Sequence, residues 1–248
     1  MARLLARPAP YGKLYSLHEL FVLNQQIIGC SLCPRLVEYR EHVARTKRRA
    51  YQSWEYWGRP VPGFGDPLAH LLLIGLAPGA HGANRTGRVF TGDSSGNFLY
   101  QALFDTGFAS SPVSTSRDDG LVLKDAYITA AVRCVPPDNK PAPDEIRNCR
   151  PYLERELELL ANVRVVVALG RLAFDVYLAV LRSRGIIDRK SKLEFAHGRE
   201  HRTAPGQPIL ICSFHPSQQN TFTKKLTPAM LRAVFRRART RLRLPAQG

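Results

Sequence analysis

No apolar stretch in the 248 residues approaches the ~20 needed to cross a bilayer, so a membrane-spanning helix is not expected. The N-terminal stretch MARLLARPAPYGKLYSLHEL lacks the apolar centre of a secretory signal. A soluble, cytoplasmic, monomeric protein is therefore the expectation. Acidic residues are scarce beside basic ones: 20 Asp plus Glu stand against 36 Lys plus Arg, a formal net charge of +16. Such an excess attracts a polyanion before any specific contact forms. Nucleic acid is the first candidate partner, and an anionic membrane surface is the plainer rival. No internal repeat is visible.

What the chain does have is enough apolar residue, 44%, to bury a real core. Its length suits one large domain or two small ones, and a single domain over 1–248 is the reading adopted. Strand and helix patterns alternate. SLHELFVLNQQIIG begins with a capping-box pattern, Ser16 with Glu19, before helical apolar spacing. LLLIG, AYITAAVR, VRVVVALG and PILICSF read as four buried strands. SGNFLYQALFDTG, APDEIRNCRPYLERELELL and RLAFDVYLAVLRSRG read as helices, the second with acidic residues in its first turn. LTPAMLRAVFRRARTRLRL reads as a basic helix capped by Thr227, with Pro228 at its first position. This alternation predicts a mostly parallel sheet covered on both faces. TGFASSPVSTSRDDG reads as a loop, KRRAYQSWEYWGRPVPGFGDP as an irregular arm, and the tail LPAQG as frayed.

Three polar loops follow strand ends. GLAPGAHGANRTGRVFTGD, Gly75–Asp93, follows the first strand; VPPDNKPAP follows the second, which is read as ending at Cys134; HPSQQNTFTKKLT follows the fourth. Ligands in open α/β sheets bind outside the carboxyl ends of the strands, so the three loops point to one crevice. The cysteines form a second constellation. Cys30 and Cys33 are spaced C-x2-C, and Cys134 and Cys149 are spaced C-x14-C. Two such pairs favour a four-thiolate metal site, either a tetrahedral zinc or an iron–sulfur cubane, and spacing alone does not separate them. Cys212, inside the fourth apolar run, reads as a small core residue.

CSLCPRLVEYRE, PVPGFGDP, GLAPGAHGANRTGRVFTGD, YITAAVRCVPPDNKPAPDEIRNCRPYL, VVALGRLAF and HPSQQNTFTKKLT resemble, in order and spacing, the family 5 (B-type) uracil-DNA glycosylases. The resemblance runs from about Cys30 to Thr227. It implies a three-layer α/β/α fold with a four-stranded, mostly parallel central sheet. It also implies a [4Fe-4S] cluster on Cys30, Cys33, Cys134 and Cys149, which would anchor an N-terminal arm. The implied partner is DNA, single- or double-stranded, carrying uracil or a damaged base.

A glycosylase acts on a base flipped out of the duplex. It needs a stacking ring, groups along the base edge, stabilisation of the departing anionic base, and a water for C1′. Phe90 is the candidate ring, with a core phenylalanine as the plainer reading. Gly75, Ala77, His81 and Asn84 are the other candidates for holding the base, the glycines because they let backbone amides approach closely. His215 can donate to the uracil oxygen that gains charge; a loop-capping histidine is the alternative. Asp93 and Asn139 are candidates to orient water or stabilise the cationic sugar, and Asp93 can also cap the helix that follows. Arg85, Arg88, Lys140 and Lys224 are candidate phosphate contacts, together with KRR at 47–49 and Lys225. Related family 4 enzymes carry an acidic residue where this chain has Leu76 and an asparagine reader where it has Ala130. Losing that polar reader implies broad base specificity; family 5 members are regarded as accepting hydroxymethyluracil, ethenocytosine and hypoxanthine as well as uracil. Two rivals remain at this stage. One is a glycosylase that crosslinks to its product, whose histidine-containing insertion is not evident. The other is a non-catalytic iron–sulfur protein that binds nucleic acid.

Overall fold

Branched and small apolar side chains fill the expected strands, and turn residues bound them. The computed structural model describes residues 11–243, so the tail LPAQG lies outside the described residues. In chain order it contains α1 Tyr11–Ile28, α2 Pro34–Thr46, β1 Phe64–Gly65, β2 Leu71–Gly75, α3 Ala83–Thr86, α4 Ser94–Asp105, β3 Ala126–Ala130, α5 Pro143–Leu159, β4 Val165–Leu169, α6 Arg171–Ser183, β5 Glu200–Arg202, β6 Ile209–Ser213, α7 Gln218–Phe222 and α8 Pro228–Arg243. Single 3-10 turns lie at Arg49–Tyr51 and Pro137–Asn139.

The sheet is mixed and six-stranded, ordered β1-β3-β2-β4-β6-β5, rather than four-stranded. Its centre is the expected set: β3, β2, β4 and β6 pair in parallel. The two extra strands are short antiparallel edges, β1 on β3 and β5 on β6. The second strand stops at Ala130, four residues before Cys134, although Ala131 N and Val132 N still donate to Gly75 O and Leu76 O at 2.9 and 3.0 Å. The segment carrying Cys134 is thereby held beside the first loop.

Alternation along the strands divides the core. Leu71, Leu73, Val165, Val167 and Ile211 face α4 and α8, packing on Leu99, Leu103, Leu231 and Phe235. Leu72, Ile74, Val166, Ala168, Leu210 and Cys212 face the other way, onto Leu23, Ile27, Leu153 and Phe174 of α1, α5 and α6. These are the three layers. Thr227 caps α8, its Oγ1 accepting from Met230 N at 3.3 Å. Ser16, by contrast, does not head its helix: the described part of α1 already includes Tyr11, and the Ser16/Glu19 pattern lies inside it.

Candidate active site

The first loop leaves β2 at Gly75 and ends on Asp93, the N-cap of α4. Asp93 Oδ1 accepts from Gly96 N at 2.8 Å. Its other carboxylate oxygen lies against the turn at the start of the same loop. A Cβ on Gly82 would stand 2.0 Å from Oδ2, and one on Gly79 2.9 Å. Burial pushes the Asp93 pKa up, while the N–H groups of Gly96 and Ser95 and the charge of Arg85 pull it down; the net shift is upward.

Phe90 has φ +52, a backbone region that a bulky aromatic adopts only when its surroundings impose it. What imposes it is contact. A Cβ on Gly96 would fall 1.9 Å from Phe90 O, and one on Gly75 2.8 Å from the ring edge. The half-buried ring thus lies over the end of β2. His215 meets it from the fourth strand, with ring centroids 5.7 Å apart and planes tilted 34°. Gly170, at the end of β4, leaves the room for that histidine: a Cβ there would be 3.2 Å from His215 Cβ. Asn220 Nδ2 donates to His215 O at 2.9 Å, and Phe214 N donates to His197 Nδ1 at 3.1 Å. Desolvation pushes the His215 pKa down to about 4, so at neutral pH the ring is uncharged and carries one N–H donor.

The structure thus brings together Gly75, Phe90 and His215, with Asp93 against the Gly79–Gly82 turn. His81 is half-buried, and its Nδ1 lies 3.1 Å from Tyr56 Oη. Ala77 packs against the buried cluster of Leu36, Val132, Cys134 and Cys149. Asn139 is exposed on its own turn, with Asp138 and Asn139 both left-handed at φ +53 and +56. Lys140 and Lys224 are exposed and free to meet phosphate.

Burial bears on three expected contacts. Asn84 is fully buried, its Nδ2 donating to Arg40 O at 3.2 Å. Arg88 is 3% exposed and donates to Thr91 Oγ1, Ser114 Oγ and Asp119 Oδ2 at 3.0, 2.7 and 2.6 Å. Burial alone would raise the Asp119 pKa, but the Arg88 guanidinium and the N–H groups of Leu121, Thr115 and Ser116 hold it down at about 2. Arg85 is likewise buried, its guanidinium packed against the rings of Tyr51 and Trp54, which meet edge to face. Neither arginine can reach a phosphate from there; both brace the loop.

One exposed residue of the third loop was not singled out from the sequence. Phe222, at the end of α7, is 78% exposed, and it neighbours Lys224 and Lys225. Lys225 Nζ lies 5.0 Å from the Phe214 ring centroid. The aromatic arm was visible as WEYW, but nothing in that composition said which loop it would cover.

The four cysteines of the two pairs are free thiols. Cys134 and Cys149 are buried, and Cys33 packs against both. Burial first, then the neighbouring cysteines, push Cys149 up to about 12; burial also raises Cys134, while Arg40, whose Nη1 donates to Cys134 Sγ at 3.1 Å, opposes the shift. Among the described residues no His, Cys, Asp or Glu group is close enough to hold a single metal ion. A cubane spaces its four thiolates more widely than one ion does, so a soft donor set of this kind is compatible with it. Below lies a buried ion pair: Arg133 Nη2 meets Glu156 Oε2 at 2.5 Å, and Thr129 Oγ1 donates to the same oxygen at 2.7 Å. No helix of the described residues is long and apolar enough to cross a membrane.

A family model described as the uracil DNA glycosylase superfamily matches residues 62–239. The chain is 53% identical over 221 residues to a type-5 uracil-DNA glycosylase of Thermus thermophilus, covering 89% of this chain and 96% of that one. It is 50% identical over 218 residues to a type-5 uracil-DNA glycosylase of Mycobacterium leprae, covering 88% and 93%. It is 46% identical over 213 residues to one of Pyrobaculum aerophilum, covering 86% and 89%.

Proposed function

The chain belongs to the uracil DNA glycosylase superfamily, and from that premise we propose that it is a monofunctional DNA repair glycosylase that hydrolyses uracil from DNA and leaves an abasic site. The observation that carries this reading is the pairing of Phe90 with an uncharged His215 above the ends of β2 and β4. A flipped uracil stacks on the Phe90 ring. As the bond from C1′ to the base nitrogen breaks, the electron pair leaves with the base, and the base oxygens gain charge. His215 donates its N–H to that charge without first having to lose a proton. Water supplies the oxygen that C1′ gains. Asp93 accepts a hydrogen bond from that water and stabilises the cationic sugar, provided it is ionised. Asn139 assists from the second loop. Lys140, Lys224 and Lys225 meet the backbone phosphates, and Phe222 fills the space the flipped base vacates, as apolar wedges do elsewhere.

Monofunctional chemistry is supported by the lysines: Lys140 and Lys224 are exposed, whereas the Phe90–His215 pair is half-buried. Broad base specificity is supported by Ala130. It pairs in register with Gly75 at the strand end, so a methyl group lies where a polar reader would reject other bases. Cys30, Cys33, Cys134 and Cys149 would hold a [4Fe-4S] cluster, which supplies no step in a hydrolysis and serves to tie α1, α2, the second loop and α5 together. A non-catalytic binding protein would not need a desolvated neutral histidine beside a strained aromatic ring.

The test is single-turnover excision on a duplex with one uracil. His215→Ala should be slower by roughly 10²-fold or more, the usual scale for one lost donor to a developing anion, with duplex affinity unchanged. A wild-type rate for this variant would remove His215 from the chemistry.

A further inference from the structure

We propose that Arg85 is a positioning residue for excision: it ties the far end of the Gly75–Asp93 loop back to its beginning and so fixes the Asp93 carboxylate against Gly82. The inference rests on the reading of Asp93 as the carboxylate that orients water. Arg85 Nε donates to His81 O at 2.8 Å, and Nη2 donates to Gly92 O at 2.7 Å. One guanidinium therefore spans the loop from its turn to the residue just before Asp93. The fit is close: Gly92 has φ +80, and a Cβ there would be 2.4 Å from Nη2. Beyond it, the carboxylate fills the space that a Cβ on Gly82 would take.

The arm fixes the guanidinium in turn. Its carbon lies 3.9 Å from the Tyr51 ring centroid and 4.0 Å from that of Trp54. Trp57 N also donates to Arg85 O at 2.9 Å. The two rings stand edge to face, with centroids 6.4 Å apart and planes 80° apart, and the planar guanidinium packs into the corner they form, a fit that an ammonium of equal charge does not reproduce. This gives the WEYW arm a task that neither DNA binding nor the cysteine site requires. Arg85 also acts through charge. The groups acting on Asp93 are the N–H groups of Gly96 and Ser95 from α4 and the guanidinium from α3, and Arg85 is the charged one. It favours the ionised carboxylate against the burial that disfavours it.

Single-turnover excision of uracil as a function of pH separates a positioning role from a merely structural one. Arg85→Lys should lower the rate by roughly 10-fold to 10²-fold, the scale of a small misplacement of a reacting group, and leave duplex affinity unchanged. Arg85→Gln should move the acid limb of the profile to higher pH, because Asp93 then loses the charge that favours ionisation; Arg85→Lys should leave the limb in place. In an Asp93→Asn background Arg85→Lys should cost nothing further, since coupled residues do not add. Trp54→Leu keeps the fork and loses one face of the clamp; it should show an intermediate loss, and it serves if the Arg85 variants do not fold. Full multiplication of the Arg85→Lys and Asp93→Asn losses would overturn the proposal, as would wild-type rates for both Arg85→Lys and Trp54→Leu. If Asp93→Asn alone cuts at the wild-type rate, the assignment of Asp93 fails and this inference with it. If Asp93→Asn is slow and Arg85→Lys is not, only this inference fails.

Discussion

Gly82→Ala puts one methyl group where the carboxylate of Asp93 now lies. The new Cβ would be 2.0 Å from Oδ2 and 2.7 Å from Cγ, both well inside contact distance. Gly82 heads α3, and Asp93 heads α4, so one of the two helix starts must shift. If Asp93 turns away it also releases Gly96 N, a cap worth about 0.5–2 kcal/mol. Overpacking adds roughly 1–3 kcal/mol. Together they predict a loss of roughly 1.5–5 kcal/mol, or a melting temperature lower by about 3–20 °C for a domain of this size. Turning the carboxylate by an ångström should also slow excision by roughly 10²-fold. Thermal denaturation and single-turnover excision measure the two effects separately. Gly29→Ala is the control: its Cβ would meet Gln25 O and Gln26 O at an ordinary 3.6 and 3.9 Å, and it should be neutral within about 0.5 kcal/mol. A Gly82→Ala protein with wild-type stability and rate would refute the packing of Asp93 against that turn.

Other expectations follow from the same residues. The His215 pKa falls from 6.5 to about 4 on folding, so the unfolded chain binds the extra proton first; stability should fall as pH drops through that window, by at most roughly 3 kcal/mol before allowance for the ring's partial exposure, and His215→Asn should flatten the dependence in denaturant titrations. Glu156→Gln leaves Arg133, 1% exposed, without its counter-charge, and should cost about 3–5 kcal/mol in chemical denaturation. Purified protein should be yellow-brown and carry iron equivalent to one cubane per chain, and Cys134→Ala or Cys149→Ala should lose both colour and iron; stoichiometric zinc in a colourless protein would contradict this.

The central strands were legible because each is a five-residue run of mostly apolar side chains, and a strand buried on both faces needs little else. The edge strands were not. Phe64–Gly65 and Glu200–Arg202 are two and three residues long, and neither alternates or bears an apolar run; they exist because a neighbouring strand offers its backbone. Asp93 was legible as a cap, since a carboxylate before Ser-Ser-Gly and helical spacing has a local meaning. Ser16 misled for the same reason: the local pattern fits a helix start, but α1 already runs through Tyr11 before it. Arg85 and Arg88 could not be read locally at all. In a glycine-rich loop of a basic protein they suggest phosphate, whereas their partners Tyr51, Trp54 and Asp119 lie about thirty residues away in either direction. Burial is a property of the folded whole, and it turned two expected DNA contacts into braces.

The most direct test of the central claim is product analysis on a duplex carrying a single uracil, using the purified wild-type chain. Free uracil and an abasic site are expected, with the strand intact until alkali is added. Binding without release of uracil would contradict the enzyme reading, and a strand break before alkali, with an amine adduct trapped by borohydride, would contradict the monofunctional mechanism.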